Sequence, residues 1–295
     1  MNYEIRHSTV YQYENDVSLS HHVAHLTPRE MPRQKCRKHR IEAHPQLTTR
    51  SSHFDHFGNP TTFFTIEGTH RKLEVIAWSR VEVFPPAVSL PDTAPPWETI
   101  RDLYNPGATN GSLEPAEFVF GSPLAPVRAD LAEYAAAAFP PGRPILQAGL
   151  DLCQRIHSDF KFDKDATTVM TTVSDFFKTR RGVCQDFAQL MVACLRSLGL
   201  PARYVSGYLE TLPPPGKPKL VGGDASHAWA SLWCGDQGWI DLDPTNNTLA
   251  SERHITTAWG RDFGDVTPVR GVLVGGGQHK LTVSVDVKRI DSPQG

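Results

Sequence analysis

Arg180-Arg181-Gly182-Val183-Cys184-Gln185-Asp186-Phe187-Ala188 is the stretch on which the reading of this chain turns. From Cys184 onward an apolar stripe runs at helical spacing: Phe187, Leu190 or Met191, Cys194 or Leu195, and Leu198. Gly199 and Pro201 end it. The spacing predicts a helix with Cys184 in its first turn, just after Gly182. A helix N-terminus lowers the pKa of a thiol and leaves backbone N–H groups free to meet an oxyanion. Such a thiol still needs a base.

The candidate base lies downstream. His227-Ala228-Trp229-Ala230-Ser231-Leu232-Trp233 reads as a strand, and Trp239–Asp243 as its hairpin partner. Side chains alternate between faces, so His227, Trp229 and Trp233 share one face, as do Trp239, Asp241 and Asp243. A three-residue turn at Cys234–Asp236 would set His227 opposite Asp243 and Trp229 opposite Asp241. A slip of one residue would destroy that arrangement. A thiol, an imidazole and a carboxylate in this order form the nucleophile, base and orienting group of thiol catalysis.

Residues 1–85 read as an antiparallel β-domain. Tyr3, Ile5, His7, Thr9, Tyr11 and Tyr13 alternate with mostly polar residues. Shorter strand-like runs follow at Val23–Leu26, Lys38–Ala43, Ser51–Phe57, Pro60–Glu67 and Leu73–Val83, with a turn at Phe57–Pro60. Residues 86–144 read as a Pro-rich linker with a short helix at Trp97–Tyr104 and an alanine-rich one at Val127–Phe139. Residues 145–250 hold the thiol, the imidazole and the carboxylate. They begin with a helix over Leu146–Phe160 and include a short helix at Thr172–Lys178, capped by Thr172 or Ser174. The Pro-rich loop Thr211–Gly223, just before His227, is expected to form a substrate rim. Residues 251–295 form a β-rich tail expected to pack on either neighbour, with Gly275-Gly276-Gly277 as a hairpin signal.

Composition narrows the class. A formal charge of −2 supplies no global field for nucleic acid or acidic membranes. Five cysteines, an odd number without close pairs, read as reduced thiols rather than a disulfide framework. The N-terminus lacks the pattern of a signal peptide, and no window approaches the roughly 20 apolar residues of a membrane helix. A cytoplasmic setting is expected. His21 and His25 have helical metal-ligand spacing but lie in a strand-like segment, so no metal and no cofactor is expected. The basic run Arg33, Lys35, Arg37, Lys38 and Arg40 reads as a solvated strand face rather than a nucleic-acid contact. The glycine run lacks the phosphate-loop pattern, since Leu281 follows Lys280.

Four segments resemble bacterial transglutaminase-like proteins. Arg181–Ala188 resembles their nucleophile motif and Leu198–Tyr208 the segment that follows it. Ser226-His227-Ala228-Trp229-Ala230 resembles the histidine motif, and Gly238–Asn246 the aspartate motif. The first strands and the tail Ala258–Val266 also resemble parts of the same group. The resemblance implies an α+β, papain-like core preceded by a β-domain, and a triad of Cys184, His227 and Asp243 in preference to Asp241. It implies acyl transfer through a thioester, on a peptide or protein amide. The backbone N–H of Cys184 is one oxyanion donor; Gln185, Tyr204 and Tyr208 are candidates for a second. Asp186 would bind a substrate amine or cap N–H groups, and Trp229 would pack the sheet or shield the site. A cysteine protease or amidase is the expected activity. The alternatives are a protein-glutamine acyltransferase and a binding module that keeps the fold. Open strand edges leave the oligomeric state undetermined.

Overall fold

The computed structural model describes residues 1–86, 94–105, 108, 111–166, 171–211 and 226–290. The α+β class expected from the sequence is what the chain adopts. Its first four strands are β1 (Asn2–Ala24), β2 (Gln34–His44), β3 (Thr49–Phe54) and β4 (Pro60–Val83). Helices α1 (Trp97–Leu103), α2 (Leu113–Ala116), α3 (Ala129–Ala136) and α4 (Ile145–Asp159) follow. Next come β5 (Lys161–Phe162), α5 (Val173–Thr179), β6 (Arg181–Gly182) and α6 (Cys184–Ser197). The chain then runs through β7 (Ala202–Leu209), β8 (Ser226–Trp233), β9 (Trp239–Asp243), β10 (Thr248–Leu249) and β11 (His254–Gly260). It finishes with α7 (Phe263–Val266), β12 (Val269–Gly275) and β13 (His279–Ile290).

Two antiparallel sheets carry the architecture. The first has the order β12-β1-β4-β2, with β13 on β1 and β3 on β4. The short strands expected in the first 85 residues are largely pieces of two long ones. β1 runs through Asn15 and Asp16, with register shifts between Gln12 and Leu19, and β4 runs through Gly68. Breaks in alternation read as strand ends are irregularities within continuous strands.

The glycine run corrects a second expectation. Residues 17–24 of β1 pair with β12 and residues 2–13 pair with β13, both antiparallel, so the chain continues along one edge instead of folding back. Gly275, Gly276 and Gly277 all have positive φ, which only glycine adopts readily in succession. They form an irregular joint opposite Glu14–Asp16, bonded by Asn15 N–H to Gly276 O and by Gly276 N–H to Asp16 O. The tail is therefore shared. Residues 254–260 join the second sheet and residues 269–290 join the first.

The second sheet has the order β10-β9-β8-β7-β11. Helix α6 is buried on nearly every side, Gln185, Asp186, Gln189 and Arg196 included, as suits a helix held between layers. Phe187, Leu190, Met191 and Leu195 pack with Ala228, Ala230 and Leu232 of β8 and with residues of α3, α4 and α5. Trp97, Ile100, Leu131 and Tyr134 lie in this same core, so the region expected as a linker contributes helices to it. A smaller apolar cluster joins the two sheets: Tyr3, Ile5, Val81, Val83, Val285 and Val287 meet Tyr208 and Ile255. Among the described residues, no helix is long and apolar enough to cross a membrane.

Candidate active site

Helix α6 begins at Cys184, as the stripe predicts. Arg180 closes α5 in the left-handed conformation, and β6 leads straight into the new helix. Asp186 turns back to accept the Val183 N–H at 2.8 Å, capping the helix start. Gly182 has no room for a side chain: a Cβ there would lie 2.4 Å from Asp186 Oδ2 and 2.8 Å from the Phe176 ring. Cys184 itself is half-buried and accessible.

The hairpin differs in register from the expectation. Trp233 pairs with Trp239 and Ser231 with Asp241, around a turn over Cys234–Gly238. Two glycines with positive φ, Gly235 and Gly238, allow a turn of 3-10 helix there, longer than the three residues expected. The register is thus shifted by two residues. An even shift preserves the faces, so His227 meets Asp243 diagonally instead of directly. His227 Nε2 lies 2.7 Å from Asp243 Oδ2, and the Cys184 thiol is within hydrogen-bonding reach of the imidazole. Cys184 Sγ also lies 4.0 Å from the Ser226 carbonyl.

Asp243 is fully buried and well supplied with donors. Oδ1 accepts the N–H groups of Thr245 and Asn246, at 3.0 and 3.2 Å. Oδ2 accepts Asn246 Nδ2 at 2.7 Å and His254 Nε2 at 3.2 Å, besides His227. Burial alone would raise its pKa; the hydrogen bonds from His227, His254 and Asn246 outweigh burial and hold the carboxyl far below the usual range. Burial likewise opposes the charge on His227, but the bonds to Asp243 and Cys184 push its pKa up to about 10. The site is therefore built to stabilise an imidazolium.

Other expected residues fall into place unevenly. Gln185 is buried, and its Nε2 has no hydrogen-bond partner among the described residues. The Tyr208 hydroxyl is 3.1 Å from His7 Nδ1 of β1, so it ties the two sheets together. Tyr204 is buried with its ring edge-on to Phe263. Trp229 lies fully buried beneath both imidazoles, edge-to-face with His254 at 5.2 Å and 6.1 Å from His227. Of the expected substrate rim, residues 212–223 lie outside the described residues.

Three contributors escaped the sequence reading. Asn246 had a signal, because an aspartate before Pro244 commonly caps the next N–H groups. His254 begins a strand from the tail, and nothing local brings it back to Asp243. Arg33 was read within a solvated basic run, yet it donates to the carbonyls of Ala250, Ser251 and His254. The rest of that run is surface: Arg37 pairs with Glu82 and Arg40 with Glu42.

His227, Asp243 and His254 could also be read as a metal-ligand set, since their donor atoms converge. The hydrogen bonds favour another role. The Ser251 N–H donates to His254 Nδ1 at 3.1 Å, so the proton of the neutral ring sits on Nε2, where a cation would have to bind.

Residues 3–82 match the bacterial transglutaminase-like N-terminal region, and residues 134–244 match the transglutaminase-like superfamily. An uncharacterized protein of Mycobacterium tuberculosis is 41% identical over 293 residues, covering 97% of this chain and 92% of that protein. The chain belongs to the transglutaminase-like superfamily. A protein-glutamine gamma-glutamyltransferase of Pseudomonas aeruginosa is 42% identical over 106 residues, 35% of this chain and 16% of that protein. A crystal structure of a candidate cysteine protease from Cytophaga hutchinsonii shares the transglutaminase-like fold. Its TM-score is 0.77 at 19% identity, covering 99% of this chain and 91% of that one.

Proposed function

We propose that this transglutaminase-like protein is a cysteine-dependent amide hydrolase, a protease or amidase, acting through Cys184, His227 and Asp243. The observation that carries the reading is the accessible thiol at the start of α6, within reach of an imidazole that is bonded at 2.7 Å to a buried carboxylate. The reaction begins as the Cys184 thiol gives its proton to His227 and the resulting thiolate sulfur attacks an amide carbonyl. A C–S bond forms while the carbonyl π pair moves to oxygen. The first amide of α6 and the Gln185 side chain, whose Nε2 has no partner among the described residues, receive that oxyanion. His227 then gives its proton to the leaving amine as the C–N bond breaks, and a thioester remains. Water, losing a proton to His227, attacks the thioester; the C–S bond breaks and the acid leaves. Asp243 keeps the imidazole in the orientation that serves both steps. Five free cysteines fit a reducing compartment, which supports a cytoplasmic setting.

A second reading shares the first half. The 42% identity with part of a glutamyltransferase favours resolution of the thioester by an amine, giving a new amide. Incubating the protein with a glutamine-containing peptide and a primary amine at about millimolar concentration separates the two. Free acid as the main product supports hydrolysis, and a dominant amine conjugate replaces that reading with transfer. Absence of either product from peptide substrates, with no acyl-enzyme by mass spectrometry, would contradict both.

A further inference from the structure

The loop between β10 and β11 is held from the opposite sheet. Arg33, just before β2, donates to Ser251 O at 2.6 Å, Ala250 O at 3.3 Å and His254 O at 3.4 Å. The adjacent Gln34 is buried and brackets β11. It donates to Thr256 O at 2.7 Å and accepts the Thr256 N–H at 2.8 Å. The clamped loop presents the Ser251 N–H to His254 Nδ1. An amide N–H can only donate, so it fixes the ring as the Nε2–H tautomer. That proton points at Asp243 Oδ2, 3.2 Å away. Burial keeps His254 neutral by lowering its pKa, against the pull of Asp243.

We infer that Arg33 and His254 are positioning residues of the thiol site, which makes the N-terminal β-domain a working part of that site. Arg33 sets the loop, the loop sets the His254 tautomer, and His254 holds the Asp243 carboxylate ionised and aimed at His227. The inference rests on the thiol reading above. The titratable and charged groups around this pair come from several elements: His227 on β8, Asp243 on β9, Cys153 on α4, Cys184 on α6 and Arg33 itself. Among them His254 is the neutral ring that donates to the carboxylate. An apolar replacement therefore removes a donor and surrounds Asp243 with hydrocarbon, and both changes make the carboxyl easier to protonate.

The test is the pH profile of Cys184 alkylation by iodoacetamide, followed by peptide mass spectrometry from about pH 4 to about pH 9. The full-length protein is compared with H254F, H254Q and R33M, each checked for folding by circular dichroism. H254F is expected to bring the protonation of Asp243, which lies below this range in wild type, up into it, so that the acid limb moves upward by about one pH unit or more. H254Q keeps an N–H donor and is expected to hold the limb near its wild-type position. R33M is expected to move it in the same direction as H254F, by less. Should H254F fail to fold, R33M against R33K carries the comparison, with R33K expected to restore part of the shift. Folded H254F or R33M with a wild-type limb would overturn the inference, as would an H254Q shift as large as that of H254F. Failure of the thiol reading looks different: wild-type Cys184 would then alkylate no faster than a Cys184-containing peptide.

Discussion

At Gly182 a single hydrogen atom separates a working helix start from a blocked one. The added methyl of Gly182→Ala would press on both the Asp186 cap and the Phe176 ring. Overpacking of this kind costs about 1–3 kcal/mol. The variant is expected to show a lower urea midpoint together with slower Cys184 alkylation; wild-type values for both would refute the tight contact. His227 gives a prediction in pH. Its folded pKa lies above the unfolded one, so the stabilisation it contributes is full below about 6.5 and is lost as pH rises toward about 10. Asp243 is shifted the other way, so its contribution is present above about 3.9 and is lost on acidification. The stability difference between wild type and His227→Gln should therefore shrink between about pH 6.5 and about pH 10, by no more than about 1.4 kcal/mol per pH unit. Urea titrations across that range measure it, and a difference that grows with pH would contradict the ion-pair account.

Among the elements, α6 was the most legible, because its stripe, Gly182 before it and Gly199 after it agree on one helix. The Thr172 cap was legible for the same local reason: its Oγ1 accepts the Asp175 N–H at 3.2 Å. The β8–β9 hairpin was legible in face but not in register. Alternation fixes which side chains share a side, whereas turn length depends on how Gly235 and Gly238 coil. Continuity of β1 and β4 was not legible, since an irregularity and a strand end show the same break in alternation. The link between α6 and β7 depends on a contact no periodicity reveals. Buried Arg196 donates through Nε and Nη2 to Ala202 O, at 2.9 and 2.7 Å, and through Nη1 to Ser122 Oγ at 3.3 Å. Arg196→Met leaves that carbonyl without its charged donor, and charge-assisted bonds of this type contribute about 1.5–3 kcal/mol. A drop of about that size in unfolding free energy is expected, and a change within experimental error would show that the contact contributes nothing.

Over the whole molecule the chain crosses between the sheets twice, and its tail completes the sheet that its head began. Tyr3, Ile5, Val285 and Val287 meet Tyr208 and Ile255 across the junction, and Gln34 and Arg33 clamp β11 from the other side. The two sheets are thus expected to unfold together, in one calorimetric transition, and a fragment of residues 1–86 is expected to lack stable β-structure until a peptide of residues 267–290 is added. Separate transitions, or a folded fragment alone, would contradict that coupling. The same whole-molecule view distinguishes the five thiols. Burial pushes Cys153 and Cys234 up to about 12, Cys36 up to about 11 and Cys194 higher still, whereas Cys184 sits accessible at a helix start beside His227. The most direct test is a site-resolved alkylation rate at neutral pH for all five cysteines in wild type and His227→Ala. The account predicts that Cys184 reacts first and loses most of its rate in the variant; another cysteine reacting first, or an unchanged Cys184 rate without His227, would contradict it.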